Sequence, residues 1–212
     1  MLDGFSLKEA AAIAELPESV VRTALEKKVS APRSRSVGKV VRYTFDVKEL
    51  FFVKLLSAFP LGLNRDDKRS LRDLVFRRTK TAGRWHAEGP DLVLKHGDLV
   101  LHVEVKRLRN HLAHNLVTYY RGRRRIVSDP DILGGEPIFE GTRIPIAHVS
   151  AIVRRGIDAT DILEDYPVLS ARDLAYAAIH AKMKAPPGRP RKPLELRRRK
   201  PTEPAERATS GR

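Results

Sequence analysis

Ser6-Leu7-Lys8-Glu9-Ala10-Ala11-Ala12-Ile13-Ala14-Glu15-Leu16-Pro17-Glu18-Ser19-Val20-Val21-Arg22-Thr23-Ala24-Leu25-Glu26-Lys27-Lys28 decides how the front of this chain folds. Ser6 suits a helix N-cap, and Glu9 stands at the reciprocal capping-box position three residues on, which predicts a helix over 7–15. Leu16-Pro17 breaks it, because proline lacks an N–H donor and disfavours helix in the residue before it. The same proline suits the start of a second helix over 17–28, with Val20, Val21, Ala24 and Leu25 on one face. The opposite face offers Ser19, Arg22 and Thr23, and Lys27 lies at the helix end. Two short helices joined by so tight a turn form the arrangement that places the second in a major groove.

Outward from that stretch, residues 31–45 carry Arg33, Arg35, Lys39 and Arg42 around Gly38. The alternation in Val40-Val41-Arg42-Tyr43-Thr44-Phe45 predicts one strand of a small hairpin, a basic wing suited to phosphates. Asp46 then caps a helix over 47–56 that is rich in core residues. This order of helix, turn, helix, basic wing and a helix opened by Tyr-Thr-Phe-Asp-Val-Lys-Glu-Leu resembles the winged N-terminal domain of MerR-type regulators. The candidate DNA contacts are Ser19, Arg22, Thr23, Lys27, Arg33, Arg35, Lys39 and Arg42. Lys27 and Lys28 have a second reading, as complements to the dipole of the helix they end.

The 212 residues suit one to three small domains. A net charge of +15 favours a polyanionic partner, but the charge is segmented. Residues 1–57 carry +3, residues 58–125 carry +9, residues 126–184 carry −3, and residues 185–212 carry +6. The third block is therefore a poor phosphate binder by bulk charge. The absence of cysteine excludes disulfides and thiolate zinc sites. No apolar run approaches the ~20 residues of a membrane span. Met1-Leu2-Asp3-Gly4 lacks the basic and apolar regions of a signal peptide, so the expected location is cytoplasmic.

In the middle block, Asn64 or Asp66 caps a helix to about residue 79, with Leu71, Leu74, Val75 and Phe76 inward and its basic residues outward. Residues 91–106 predict a hairpin around His96-Gly97-Asp98, with Leu99, Leu101, Val103 and Val105 on one face. A basic helix or linker follows over 108–125. Pro90-Asp91, with Glu104-Val105-Lys106 on the next strand, has the form of the PD-(D/E)xK nuclease motif. In that family the carboxylates hold magnesium and the lysine stabilises charge near the attacking water. Asp91, Glu104 and Lys106 are thus an alternative catalytic set. The favoured reading is the solvated face of a structural hairpin, because the preceding helix has no glutamate and a clear first core strand is missing.

The third block runs Ile126-Val127-Ser128-Asp129-Pro130-Asp131-Ile132-Leu133-Gly134-Gly135-Glu136-Pro137-Ile138-Phe139-Glu140-Gly141-Thr142-Arg143-Ile144-Pro145-Ile146. It resembles the opening of the family called domain of unknown function 433. The continuation to about residue 184 fits the same family. Gly134, Gly135 and Gly141 permit tight turns, and Gly156 terminates a helix. Asp158 or Thr160 caps the next helix, and Ser170 with Asp173 forms a variant capping box, so a second helix-turn-helix shape is expected. The resemblance implies an antitoxin made beside a small PIN-like ribonuclease, and the order of the whole chain resembles VapB-type antitoxins of the larger kind. Arg143 is either a toxin contact or the partner of a nearby carboxylate.

From Ala185 the chain is dense in proline and charge, which does not favour an independent fold. Arg189, Arg191, Arg197, Arg198 and Arg199 could insert among the metal-binding carboxylates of such a nuclease, or bind DNA non-specifically. The resulting expectation is an α+β chain, mainly α: a winged helix-turn-helix over 1–57, a basic hairpin-bearing connector over 58–125, a small helical domain over 126–184 and a basic disordered tail over 185–212. Its expected partners are operator DNA, a cognate ribonuclease toxin and a second copy of itself. No cofactor, metal or catalysis is expected, and a regulator without a toxin is a further alternative.

Overall fold

In the computed structural model, which describes residues 4–37, 40–59, 63–77 and 79–183, the chain is α+β and mainly helical. Its front begins with α1 (Leu7–Ala14) and α2 (Glu18–Glu26). Both arms of the expected capping box form on α1: Ser6 N–H donates to Glu9 at 2.8 Å, and Glu9 N–H donates to the Ser6 hydroxyl at 3.4 Å. A two-stranded hairpin follows, β1 (Arg33–Val37) and β2 (Val40–Thr44), paired from Arg33 opposite Thr44. Reciprocal backbone bonds between Phe5 and Phe45 tie the hairpin's end to the entry of α1.

The last five residues of α1, Ala10, Ala11, Ala12, Ile13 and Ala14, are all buried. Four alanines present so little bulk that neighbouring helices approach from several sides. Those neighbours are α2, α3 (Val47–Ser57), α5 (Val105–Arg124) and α8 (Ala171–Met183). The carbonyls left unpaired at the C-terminal end of α1 need donors. Buried Asn115 on α5 donates to Ile13 O at 3.0 Å, and Lys54 on α3 donates to Ala14 O at 2.6 Å.

Asp46 caps α3 through Glu49 N–H, as its sequence predicts. The α3 segment Glu49-Leu50-Phe51-Phe52-Val53-Lys54-Leu55-Leu56 is apolar on both faces, a pattern that suits a helix enclosed between two packed regions. Leu50 and Val53 join the first core, while Phe52 and Leu55 join a second. The second core also contains Leu71 and Leu74 of α4 (Arg65–Arg77), and Trp85, Leu92 and Leu94 of an antiparallel meander. The meander strands are β3 (Thr81–Ala82), β4 (Trp85–Glu88), β5 (Asp91–His96) and β6 (Leu99–Val103), in that spatial order.

Two ion pairs stitch α4 in place. Arg72 bonds the buried Glu49 carboxylate at 2.5 Å, and the same carboxylate accepts from the Ser30 hydroxyl at 2.7 Å. Arg84 bonds Asp67 at 2.5 Å, while the Trp85 indole N–H donates to Asp67 O at 3.0 Å. A buried carboxylate stripped of its cation costs ~3–5 kcal/mol, so Arg72 is structural although the sequence placed it outward.

Several expectations for the middle block are corrected. The hairpin strands end at Val103, not at Lys106, because Glu104 begins the turn of α5 and Val105 is already helical. Leu99, Val100 and Leu101 are all exposed, since β6 is an edge strand and neither of its faces is covered at those positions. The segment read as helix or linker is a continuous 20-residue helix, α5. Strands β3 and β4 were not foreseen.

The rear segment comprises β7 (Ile126–Val127), β8 (Ile138–Phe139), α6 (Ile146–Arg154), α7 (Ala159–Asp165) and α8. Asp158 caps α7 through Thr160 N–H, and Ser170 and Asp173 cap α8 reciprocally, as their spacing predicts. Gly134, Gly135, Gly141 and Gly156 all take positive φ. Gly122 is different: it lies where α5 crosses α8, and a β-carbon built there would overlap the Tyr176 side chain. Phe139, Val149, Leu174 and Ala177 of this segment belong to the same core as Phe5, Ile13 and Val21 of the front. Among the described residues no helix is long and apolar enough to cross a membrane.

Glu9 links these parts electrostatically. Burial pushes its carboxyl upward, but hydrogen bonds from Tyr119 (2.5 Å) and from Ser6, with the nearby Arg123 guanidinium, hold it below its ordinary value of 4.5. A depressed folded-state value means a stabilising contribution that is present above 4.5 and lost as pH falls through the lowered value. Thermal melts from pH 7 to pH 3 should therefore show stability dropping below about pH 4.5, with a shallower drop in Glu9→Gln. Equal acid slopes for the two proteins would refute this role for Glu9.

Candidate nucleic-acid interface

Val21 is the one buried residue of α2 and seats that helix on the first core. Ser19, Arg22, Thr23 and Lys27 all remain exposed. On the hairpin, Arg33, Arg35 and Arg42 are exposed as well, and the strand register sets Arg35 directly opposite Arg42. Like charges facing each other across a strand pair repel, and an anion between them would relieve that. Lys39 lies outside the described residues.

A groove of about 1160 Å³ runs between the front helices and the hairpin, with Arg22 on one wall and Arg42 on the other. Glu9, Glu18 and Glu26 also line it, so the groove is mixed in charge. Arg22 is held by Glu18 at 2.6 Å. Both partners are exposed, and an exposed helical pair of this spacing is worth only ~0.3–0.5 kcal/mol, so Arg22 is readily released to a phosphate or base.

A second groove, about 370 Å³, is lined by Lys27, Lys28, Val29, Arg65, Lys68, Arg69 and Arg72, with no carboxylate. Lys28 lines both grooves, so the two adjoin. Arg72 is committed to Glu49, whereas the other five cations form no ion pair among the described residues. Sequence reading set the α4 cations outward but gave them no part in binding. The available signal was their spacing at 65, 68, 69 and 72, which marks a single helix face. What the sequence could not show was that this face turns toward the end of α2.

Of the alternative catalytic set, Asp91 lies on a strand, whereas Glu104 and Lys106 do not. Asp91 opens β5 and accepts a hydrogen bond from Lys106 N–H at 3.2 Å, so it serves the first turn of α5. Glu104 is the N-cap residue of α5, and Lys106 lies inside the helix. The expectation that Glu104-Val105-Lys106 lies on the strand after Asp91 is therefore corrected, because the chain turns helical at Val105. Among the described residues no three His, Asp or Glu side chains gather in a way that could hold a metal ion.

Arg143 is exposed beside a hollow it shares with Asp129 and Thr142, and it forms no ion pair among the described residues. The intramolecular partner considered for it is thus not engaged. Arg189, Arg191, Arg197, Arg198 and Arg199 lie outside the described residues.

The front of the chain is therefore a helical pair with a basic hairpin. For the rear, residues 126–181, from β7 into α8, match the family described as "Protein of unknown function (DUF433)". A relative from Sinorhizobium fredii (strain NBRC 101917 / NGR234), "Uncharacterized protein y4eO", is 41% identical over 69 residues, covering 32% of this chain and 31% of the relative. The chain thus matches about a third of that relative's length. The X-ray crystal structure of Rv2018 from Mycobacterium tuberculosis aligns over 84% of this chain and 98% of its own, at 15% identity and a TM-score of 0.31.

A helix-terminal carboxylate predicts modest structural loss on removal. Asp91→Ala should cost about 1 kcal/mol in urea unfolding. Purified protein with magnesium or manganese should leave DNA and RNA intact. Cutting that disappears in Glu104→Ala would instead establish the carboxylates as catalytic.

Proposed function

We propose that this chain is a DNA-binding antitoxin: a cytoplasmic homodimer that represses its own operon and neutralises a PIN-like ribonuclease made beside it, with no catalysis or cofactor of its own. The observation that carries the DNA half is convergence. Cations from three separate elements, α2, the hairpin and α4, line two adjoining grooves. The exposed face of α2 would enter the major groove of the operator, as in MerR-type regulators, which the front of the chain resembles. Arg33, Arg35 and Arg42 would grip the flanking phosphates, and Lys27 with the α4 face would extend that grip along the backbone.

Support for the antitoxin half comes from the rear segment, whose sequence resembles antitoxins of the larger VapB kind and matches the family at 126–181. Exposed Arg143 and the arginines of the tail supply the charge-assisted donors that would occupy a nuclease's metal-binding carboxylates.

Gel shifts on the operon's own promoter test the DNA half. Arg22→Ala with Arg42→Ala should weaken binding by roughly tenfold or more and flatten the salt slope by about 2. An unchanged slope would mean that the contact surface lies elsewhere. Co-purification of a small ribonuclease with the intact chain is the expected result for the other half, and a chain that represses but retains no such protein would be a regulator alone.

A further inference from the structure

Beyond the DNA-facing grooves, a cleft of about 690 Å³ opens between the last turns of α5 and the first turn of α8. It lies beside the close approach of the two helices at Gly122, which lines it. Val117, 48% exposed, and the exposed Ala171 and Ala175 supply apolar lining. Arg121, Arg124, Arg125 and Arg172 supply charge. Arg125 is drawn to Asp173 at 3.5 Å, and that carboxylate is further engaged by the Ser170 N–H and hydroxyl. Arg121, Arg124 and Arg172 form no ion pair among the described residues, and Glu140 is the remaining carboxylate of the lining.

The same chain carries a chemical complement of that cleft on α7. Asp158, Asp161, Glu164 and Asp165, on or beside α7, are exposed and form no ion pair among the described residues. Large apolar side chains flank this acidic helix: Ile157 is 47% exposed and Val168 is 58% exposed. An acidic helix with apolar flanks, and a cleft that carries unpaired arginines beside exposed Val117, are complementary in both respects that decide an interface.

We infer that the cleft between α5 and α8 receives α7 of a second copy of this chain, and that the reciprocal contact closes a two-fold dimer. This rests on the homodimer assumed above and supplies the surface that assumption left open. A two-fold contact uses the same two patches twice, so each apolar and charged group is matched without an open-ended chain of subunits. The protein's own tail is a poor occupant, because residues 185–212 carry +6 and would meet the arginines with like charge. A duplex is also a poor occupant, since phosphates would leave Val117 uncovered and would face Glu140. The exposed edge strand β6 is the competing dimer surface, but nothing around Leu99, Val100 and Leu101 favours a particular occupant.

The test is sedimentation of the full chain and of charge-reversed variants, with circular dichroism to confirm that each stays folded. All four substituted residues are exposed and unpaired within the chain, so folding should survive. The unmodified chain should be a dimer that weakens with added salt. Arg121→Glu with Arg172→Glu should raise the dimer dissociation constant by roughly tenfold or more, and Asp161→Arg with Glu164→Arg should do the same. Mixing the two variants places both reversed patches opposite each other at one of the two reciprocal contacts, and combining all four changes in one chain does so at both. The combined variant should recover the dimer. A monomeric unmodified chain overturns the proposal. So does a dimer indifferent to both reversals, which would leave the homodimer standing but move its interface, with loss on Leu99→Lys pointing to the β6 edge. Failure of the gel shifts would leave this result untouched, so the two readings fail separately.

Discussion

Four alanines in an eight-residue helix set the geometry of this protein. Ala10, Ala11, Ala12 and Ala14 of α1 leave room for helices from the front, the middle and the rear to pack around it. Larger side chains would push those helices apart, since interiors are packed too densely to absorb added volume. Because α8 lies against α1, the segment at 126–181 is not tethered behind the front half but completes its core. Glu15 at the end of α1, which bonds Lys182 at 2.7 Å and faces His111 at 3.2 Å, reinforces the same junction from the surface.

Around this centre, α3 and α5 divide their surfaces between two cores. α5 contributes Val105 to the second core and Leu112 and Tyr119 to the first. A helix so shared transmits the position of one core to the other, which is how the cations of α4 come to lie beside the end of α2. The Glu49–Arg72 pair fixes that placement, and the guanidinium also stacks over Phe76 at 4.3 Å. One arginine of a basic helix face is thereby spent on structure, and its neighbours are left for solvent or a polyanion.

Local signals in the sequence were faithful where the interaction was local. The capping box at Ser6 and Glu9, the Asp46 and Asp158 caps, the pairing of 33–37 with 40–44 and the glycine turns of the rear all depend on residues close to one another in the chain. Three features depended on distant partners and were not legible. The structural role of Arg72 required knowing where Glu49 lay. The exposure of Leu99 and Leu101 required knowing that β6 ends the meander, because an alternating strand looks the same at an edge as in the middle. The start of α5 at Val105 is accompanied by a bond from the Lys106 N–H to Asp91, fifteen residues before that lysine. That difference bears on the alternative catalytic set, since it takes Glu104 and Lys106 off the strand. For the candidate interface, each cation on α2 and the hairpin was readable as exposed, but the joining of the two grooves through Lys28 was not.

The segmented charge of the chain acquires a physical meaning from this packing. Much of the charge of the strongly basic middle block lies on α4 and α5, both of which also fill the cores, while the acidic rear presents α7 to solvent. Binding functions at the two ends would consequently share one folded body, so ordering at one end supports the other. Native-state hydrogen exchange on the unmodified chain tests this most directly. The account predicts that the slowest amides of α1, α5 and α8 open together, with free energies within about 1 kcal/mol of each other. An α8 that opens several kcal/mol more easily, while α1 and α5 stay protected, would contradict it.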